Sequence, residues 1–412
     1  MLLLFMTIAV MHVRWSSTQS LSASLNPGCN NCSNISVVSV VFREQSSSVH
    51  FIVSITKENS VPSVFVSRSD SNSSVYFDWP SIFSNEPGQS VVLSNSSFYG
   101  LLFSNLYQYE DRSDVADISR AAGSVTKYPL NHCFWFLSRW DPLPDSTTGL
   151  LSLALRCNDS RPSVIFASKG FIELEFTFSE KDRLADRAPH TLLLGGLAVR
   201  VMVVLQRLAL QWKETRWALN LAIVANRSLP DSAVFENVTL RSIDDEPSPG
   251  AFKDMTVFLT NHSYVTWKSV CYVDAAAANV KSSRAVAVSP QLCVDKGTNR
   301  SLIKSSLFPF VYGAVANTVA VRQVNVSFGD SGDGFYRSSN YIDWSFAFAL
   351  NTPPPGYYSP LIWTMVVISI ILISAAACLL VYLIGYHFIT RGSDSLVRPL
   401  LEQVDDSNEQ SV

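Results

Sequence analysis

The densest grouping of residue types that can do chemistry is Gly329-Asp330-Ser331-Gly332-Asp333-Gly334. A serine there could act as an acyl-transfer nucleophile if a histidine took its proton, a carboxylate oriented that histidine and N–H groups received the oxyanion. His132 is the candidate base. Cys29-Asn30-Asn31-Cys32 has the spacing of a redox dithiol or of half a zinc site. Asp244, Asp245 and Glu246 could bind calcium or exchange protons.

Each grouping also has a plainer reading. Gly-Asp-Ser-Gly is shared with trypsin-like proteases, but Asp333 stands where that motif has its second glycine and Gly334 where it has proline. No cysteine precedes the motif, and His132 lacks the usual Ala-Ala neighbours. The stretch lies between two strand-like runs, Val319 to Phe328 and Tyr341 to Leu350, and Gly, Asp and Ser suit a hairpin loop. No βαβ pattern surrounds Cys29 and Cys32, a glycan on Asn31 would crowd them, and no histidine pairs with them for zinc. The acidic triplet precedes Pro247 without EF-hand spacing and reads as a loop. The six histidines, at 12, 50, 132, 190, 262 and 387, show no metal-ligand spacing. No catalytic residue, metal or cofactor is expected, and a serine hydrolase using Ser331 is the catalytic alternative.

Composition points elsewhere. Of 412 residues 47% are hydrophobic and only 16% charged, against about 25% charged in ordinary soluble domains. High apolar content excludes a disordered or collagen-like chain, and a net charge of -3 without a basic run excludes a nucleic-acid binder. Residues 391–412 carry two arginines against five acids, which accounts for the whole net charge and leaves the body formally neutral. Asn-x-Ser/Thr occurs ten times, at Asn31, Asn34, Asn72, Asn95, Asn158, Asn226, Asn237, Asn261, Asn299 and Asn325, where chance gives about four. None lies in the tail, as expected of a glycosylated lumenal or extracellular body.

Leu2 to Val10 is too short to span a bilayer and reads as the core of a signal peptide over residues 1–20, with cleavage between Ser16 and Ser24. Leu361 to Ile384 is an apolar run of 24 residues, long enough for a transmembrane helix. Together they predict a type I single-pass protein with a cytosolic tail at 391–412. Leu192 to Leu210 is rejected as a span because Arg200 and Arg207 lie inside it and Val199, Val201, Val203 and Leu205 alternate as in a strand. Ser374 and Cys378 form a small-xxx-small pair through which another helix could pack.

The body reads as mainly β: tandem β-sandwich-like domains at 25–182 and 183–352, divided at the charged stretch Glu180 to His190, plus the C-terminal helix. Strands are expected at Ile35 to Phe42, Val49 to Thr56, Ser63 to Ser67, Val75 to Trp79, Phe171 to Glu180, Trp217 to Val224 and Met255 to Thr260, besides the two runs flanking Ser331. Even cysteine counts on either side of the division suit an oxidising lumen. Cys271 with Cys293 is the pairing by exclusion. The first four cysteines allow three connectivities, of which Cys133–Cys157 with Cys29–Cys32 is the expectation.

Ser242-Ile243-Asp244-Asp245-Glu246 with Pro249, Ala251 and Phe252 resembles the glycosylated lysosomal membrane protein family. So, in the same order, do Asn325 to Gly329, Gly334 to Tyr336, Tyr341 to Ser345 and the proline-rich approach from Pro353 to Leu361. The N-terminal half matches more thinly, through Phe77 to Trp79 and Phe171 to Phe178. The resemblance implies a glycosylated type I protein of the lysosomal membrane without catalytic activity. It further implies an accessory subunit that stabilises a lysosomal major-facilitator dipeptide transporter and shields it from proteases. The tail lacks that family's terminal tyrosine signal, and Leu400-Leu401 is an imperfect dileucine substitute for sorting. A cell-surface adhesion or ligand receptor would share the architecture and differ in address.

Overall fold

The computed structural model describes residues 20–408 except 33–34, 56–59, 85, 87, 89, 94–97, 121–122, 145–148, 161–164, 180–182, 185–192, 195–196, 226–237, 244–251, 261–262, 274–281, 285–287, 290–305, 314–319 and 352–359. The signal-peptide core and the acidic triplet lie outside the described residues. The chain forms two units, residues 1–356 and 357–412.

Runs of β-branched and aromatic residues broken by Ser, Asn and Gly make the first unit a set of antiparallel strands. In chain order they are β1 (Ser20–Leu25), β2 (Ser36–Arg43), β3 (Ser47–Ile55), β4 (Ser63–Asp70), β5 (Tyr76–Phe77), β6 (Val91–Val92), β7 (Tyr99–Glu110), β8 (Val125–Pro129), β9 (Cys133–Trp140), β10 (Leu150–Ser160) and β11 (Phe166–Ser179). There follow β12 (Arg183–Leu184), β13 (Leu193–Leu194), β14 (Ala198–Leu208), β15 (Thr215–Ala225), β16 (Val238–Ile243), β17 (Phe252–Thr260), β18 (Ser263–Tyr272), β19 (Ser282–Arg284), β20 (Val288–Ser289), β21 (Ala320–Ser327) and β22 (Tyr341–Ala349). One nine-stranded sheet has the order β1-β2-β3-β4-β7-β15-β21-β20, with β8 also on β7. The other runs β16-β17-β18-β22-β14-β11-β10-β9, with β19 also on β18.

The two sheets share one core. Val40, Phe42, Phe51, Val66, Leu101 and Phe103 from the first pack with Leu153, Leu174, Phe176, Phe178, Val201 and Phe346 from the second. Phe42 and Phe178 have ring centroids 6.3 Å apart, and Phe103 meets Phe176 edge-on at 6.2 Å. Val199, Val201, Val203 and Leu205 of β14 are fully buried in this layer, so the stretch rejected as a span is a central strand. A smaller cluster covers the outer face of the first sheet, where Ile52, Phe65 and Leu102 meet Trp79 and Ile82 of α1 (Trp79–Ser84) and Phe308 and Phe310 of α2 (Phe308–Tyr312). The strand expected at Val75 to Trp79 is only two residues long. Pro80 favours the first turn of α1 there, and Asp78 accepts a 2.6 Å hydrogen bond from the Ser81 hydroxyl.

The mainly β class with a C-terminal apolar helix stands, but the expected division near residue 182 does not describe the strand order. β15, β20 and β21 complete the sheet begun by β1 to β4, and β9 to β11 extend the sheet that holds β14 and β22. Each half supplies part of both inner faces, so the two share one core.

In the second unit α3 spans Pro360–Asn408, and Thr364–Ile389 is long and apolar enough to cross a membrane. This stretch overlaps the expected span Leu361 to Ile384, and no charged residue appears before Arg391. Helical backbone also continues through most of the tail.

His50 of β3 is fully buried and lies 2.9 Å through Nε2 from the Ser69 hydroxyl. Burial, aided by the charge of Arg43, pushes its pKa down to about 4. Unfolded His titrates near 6.5, so the unfolded chain takes up a proton that the folded chain refuses as pH falls from 6.5 toward 4. The stability from keeping His50 neutral is therefore lost on acidification through that window, by roughly 3 kcal/mol when complete. Thermal melts of parent and His50→Gln across this window should show a flatter acid slope for the variant.

Candidate functional site

The described polar residues converge most tightly on Arg216, the second residue of β15. Its neighbour Trp217 faces the shared core, so the two-residue period of a strand sends Arg216 to the outer face. On one side β7 ends at Glu110, opposite Thr215, and the Asp111 N–H donates to the Glu214 carbonyl at 2.9 Å. On the other side β21 pairs Ser327 with Ala218, so the chain leaving β21 at Phe328 passes the same side chain.

Arg216 is 3% exposed. Its Nε forms an ion pair with Asp111 Oδ2 at 2.8 Å. Its Nη2 forms ion pairs with Asp333 Oδ1 at 2.7 Å and with Asp114 Oδ1, and donates to the Asp330 carbonyl at 3.1 Å. The Phe335 ring centroid lies 5.4 Å from the guanidinium carbon. Burial acts against the guanidinium charge, but Asp333 and Asp114 more than offset it and hold the pKa above its ordinary value.

The two flanking loops are also tied to themselves and to each other. Asp111 accepts from the Val115 and Ala116 N–H groups at 3.1 and 2.8 Å. Asp333 Oδ2 accepts from the Asp330 N–H at 2.7 Å, and the Gly332 N–H donates to the Asp114 carbonyl at 2.9 Å. Gly329, at φ 102°, lies directly against Arg216 Nη1, where a Cβ has no room. The arrangement clamps loops. It borders a small cavity lined by Arg216, Cys271, Asp333 and Tyr336, and Ser331 is not among the residues that line it.

The other sequence candidates are dispersed. Ser331 is exposed at the loop tip, and among the described residues no hydrogen bond joins it to His132, which ends a short 3-10 turn. Cys29–Cys32 and Cys133–Cys157 are disulfides, the latter tying β9 to β10. Cys271 is buried on β18, and Cys293 lies outside the described residues. Asn31, Asn72 and Asn158 are exposed. Asn325 is half-buried on β21, where its Oδ1 accepts from Asn220 Nδ2 at 2.6 Å. The remaining six sequons lie outside the described residues. Ser374 and Cys378 are exposed on α3, Ser374 Oγ donating to the Ile370 carbonyl at 2.7 Å, and Leu400 and Leu401 are on its helical backbone. No group of three His, Cys, Asp or Glu among the described residues could hold a metal. Sequence reasoning missed Arg216, Asp111 and Asp114. The available signal was an arginine opening an apolar strand together with Asp111, Asp114 and Asp117 spaced by three, but nothing in the sequence joins the two.

The family model for "Glycosylated lysosomal membrane protein" matches residues 36–391. The chain belongs to the glycosylated lysosomal membrane protein family. It is similar to glycosylated lysosomal membrane protein A of Xenopus laevis, 25% identical over 395 residues covering 90% of each chain. It is also similar to the glycosylated lysosomal membrane protein of Danio rerio, 24% identical over 374 residues, 86% of this chain and 85% of that one. This member of the glycosylated lysosomal membrane protein family is thus a lysosomal membrane protein with one candidate span, and the matched region takes in the whole Arg216 clamp.

Replacing Arg216 with Met leaves Asp111 buried without its cation. Breaking a buried pair on one side costs about 3–5 kcal/mol. Denaturant titration of Arg216→Met should show a loss of that size, with Ser331→Ala close to the parent.

Proposed function

We propose that this chain is a non-catalytic accessory subunit that binds a lysosomal major-facilitator dipeptide transporter, stabilises it and protects it from proteolysis. The β body faces the lumen and the tail the cytosol, in keeping with ten sequons in the body and none in the tail. The observation that carries the reading is the fate of the protease-like motif around Ser331. Asp333 and the Asp330 carbonyl are committed to Arg216, and Ser331 is left without a base among the described residues. Family membership supports the address, and a glycan-bearing body of low charge suits a shield in a protease-rich lumen.

Deleting the protein should lower the transporter's abundance and dipeptide export from isolated lysosomes severalfold, and capture of the tagged full-length chain should recover the transporter. Unchanged abundance with no co-capture would sink the proposal. A fluorophosphonate probe should leave the folded protein unlabelled, and labelling abolished by Ser331→Ala would revive the hydrolase.

A further inference from the structure

Arg216 brings one positive charge to three carboxylates, Asp111, Asp114 and Asp333. Asp114 and Asp333 meet on the same nitrogen, Nη2, so their oxygens are also near neighbours. Of the other charged or titratable groups in the elements packed there, Glu110 ends β7, Arg112 and Asp117 lie in the turn after it, Glu214 precedes β15 and Asp330 lies in the loop after β21. Arg112 is engaged with Glu110 at 3.0 Å and is 71% exposed, so it does not neutralise the cluster. Tyr109, opposite Arg216 in the register, stays a neutral phenol because burial pushes its pKa far up. The clamp is therefore over-supplied with negative charge when all three carboxylates are ionised.

We propose that the Asp114–Asp333 pair is an acid latch. In an acidic lumen Asp333 takes up a proton beside the Asp114 carboxylate, the excess of carboxylates over guanidinium falls from two charges to one, and the 111–117 turn and 329–334 loop hold together more firmly than at neutral pH. Two carboxylates sharing a site resist joint ionisation. The geometry has a supporting electrostatic counterpart. Burial pushes the Asp333 carboxyl up from the ordinary carboxylate range, and the Asp114 charge adds to this, against the hydrogen bond from the Asp330 N–H and the pull of Arg216.

The sign separates a latch from an ordinary ion pair. A carboxylate raised in the folded state binds its proton there before the unfolded chain does, so stability rises as pH falls through the folded value toward 3.8. A carboxylate lowered by its partner loses stability over the same fall.

The test compares melting of the full-length chain in detergent with Asp333→Asn at about pH 7.5 and about pH 5, read by tryptophan fluorescence. Asparagine cannot titrate, the bond it loses from Asp330 costs the same at both values, and the His50 contribution is common to both proteins. The latch predicts that the parent gains on the variant by about 2 °C or more on acidification. A gap that shrinks or stays constant overturns it, because the carboxylate would then be an ordinary ion-pair partner. Should Asp333→Asn fail to fold, Asp333→Ser, which cannot titrate either, tests the same proton with the same signs.

Discussion

Everything else in the β unit rests on the apolar contact between two nine-stranded sheets. Phe42, Phe51 and Phe103 on one inner face meet Phe176 and Phe178 on the other, and burying each such ring contributes roughly 2 kcal/mol. The layer is complete only when distant segments are in place, since β22 must insert between β18 and β14, and β15 between β7 and β21. Such non-local pairing folds slowly and exposes unpaired edges on the way. Two disulfides of short sequence separation lock local loops and leave the long-range order to the core.

The Arg216 clamp is a consequence of that order. A guanidinium on the outer face of a central strand must find partners where the strands end, because strand backbone on either side is already paired. The end of β7 and the exit from β21 flank β15 and carry Asp111, Asp114 and Asp333 to it. Farther along the same face the neighbours are amides. Asn105, Asn220 and Asn325 stand in register across β7, β15 and β21, Asn220 bonding to both others, so the outer face grades from charged to amide to apolar.

Sequence reading found what has a local period. The strand over β14 and the apolar run of α3 announce themselves through alternation or length, whereas the turn residues after β21, read as a hairpin loop, join strands of different sheets, β21 in one and β22 in the other. It misplaced what depends on which strands are neighbours. The charged stretch after β11 looked like a linker, yet β11 and β14 on either side of it pair at ten positions, with Ser179 opposite Ala198. The clamp was invisible for the same reason: Asp114 and Asp333 are separated by more than half of the chain, and their convergence on Arg216 is set by sheet order and not by spacing. Cys133–Cys157, expected as one of three connectivities, joins neighbouring strands of a hairpin, β9 and β10, that the sequence reading did not anticipate.

Interleaving bears on survival among proteases. In two tandem domains, one cut in the linker would release a complete unit. In this topology a cut between β11 and β14 leaves two fragments that pair strand to strand in both sheets, through β11 with β14 and β7 with β15. Each fragment also holds part of both inner faces, so separating them exposes core residues such as Val201, Trp217 and Phe346 on one and their partners, Phe103 among them, on the other. A nick in that loop therefore does not lower the free energy of the dissociated state by freeing a folded domain. Resistance then rests on the loops, where chain is accessible and where Asn72 stands exposed at a turn.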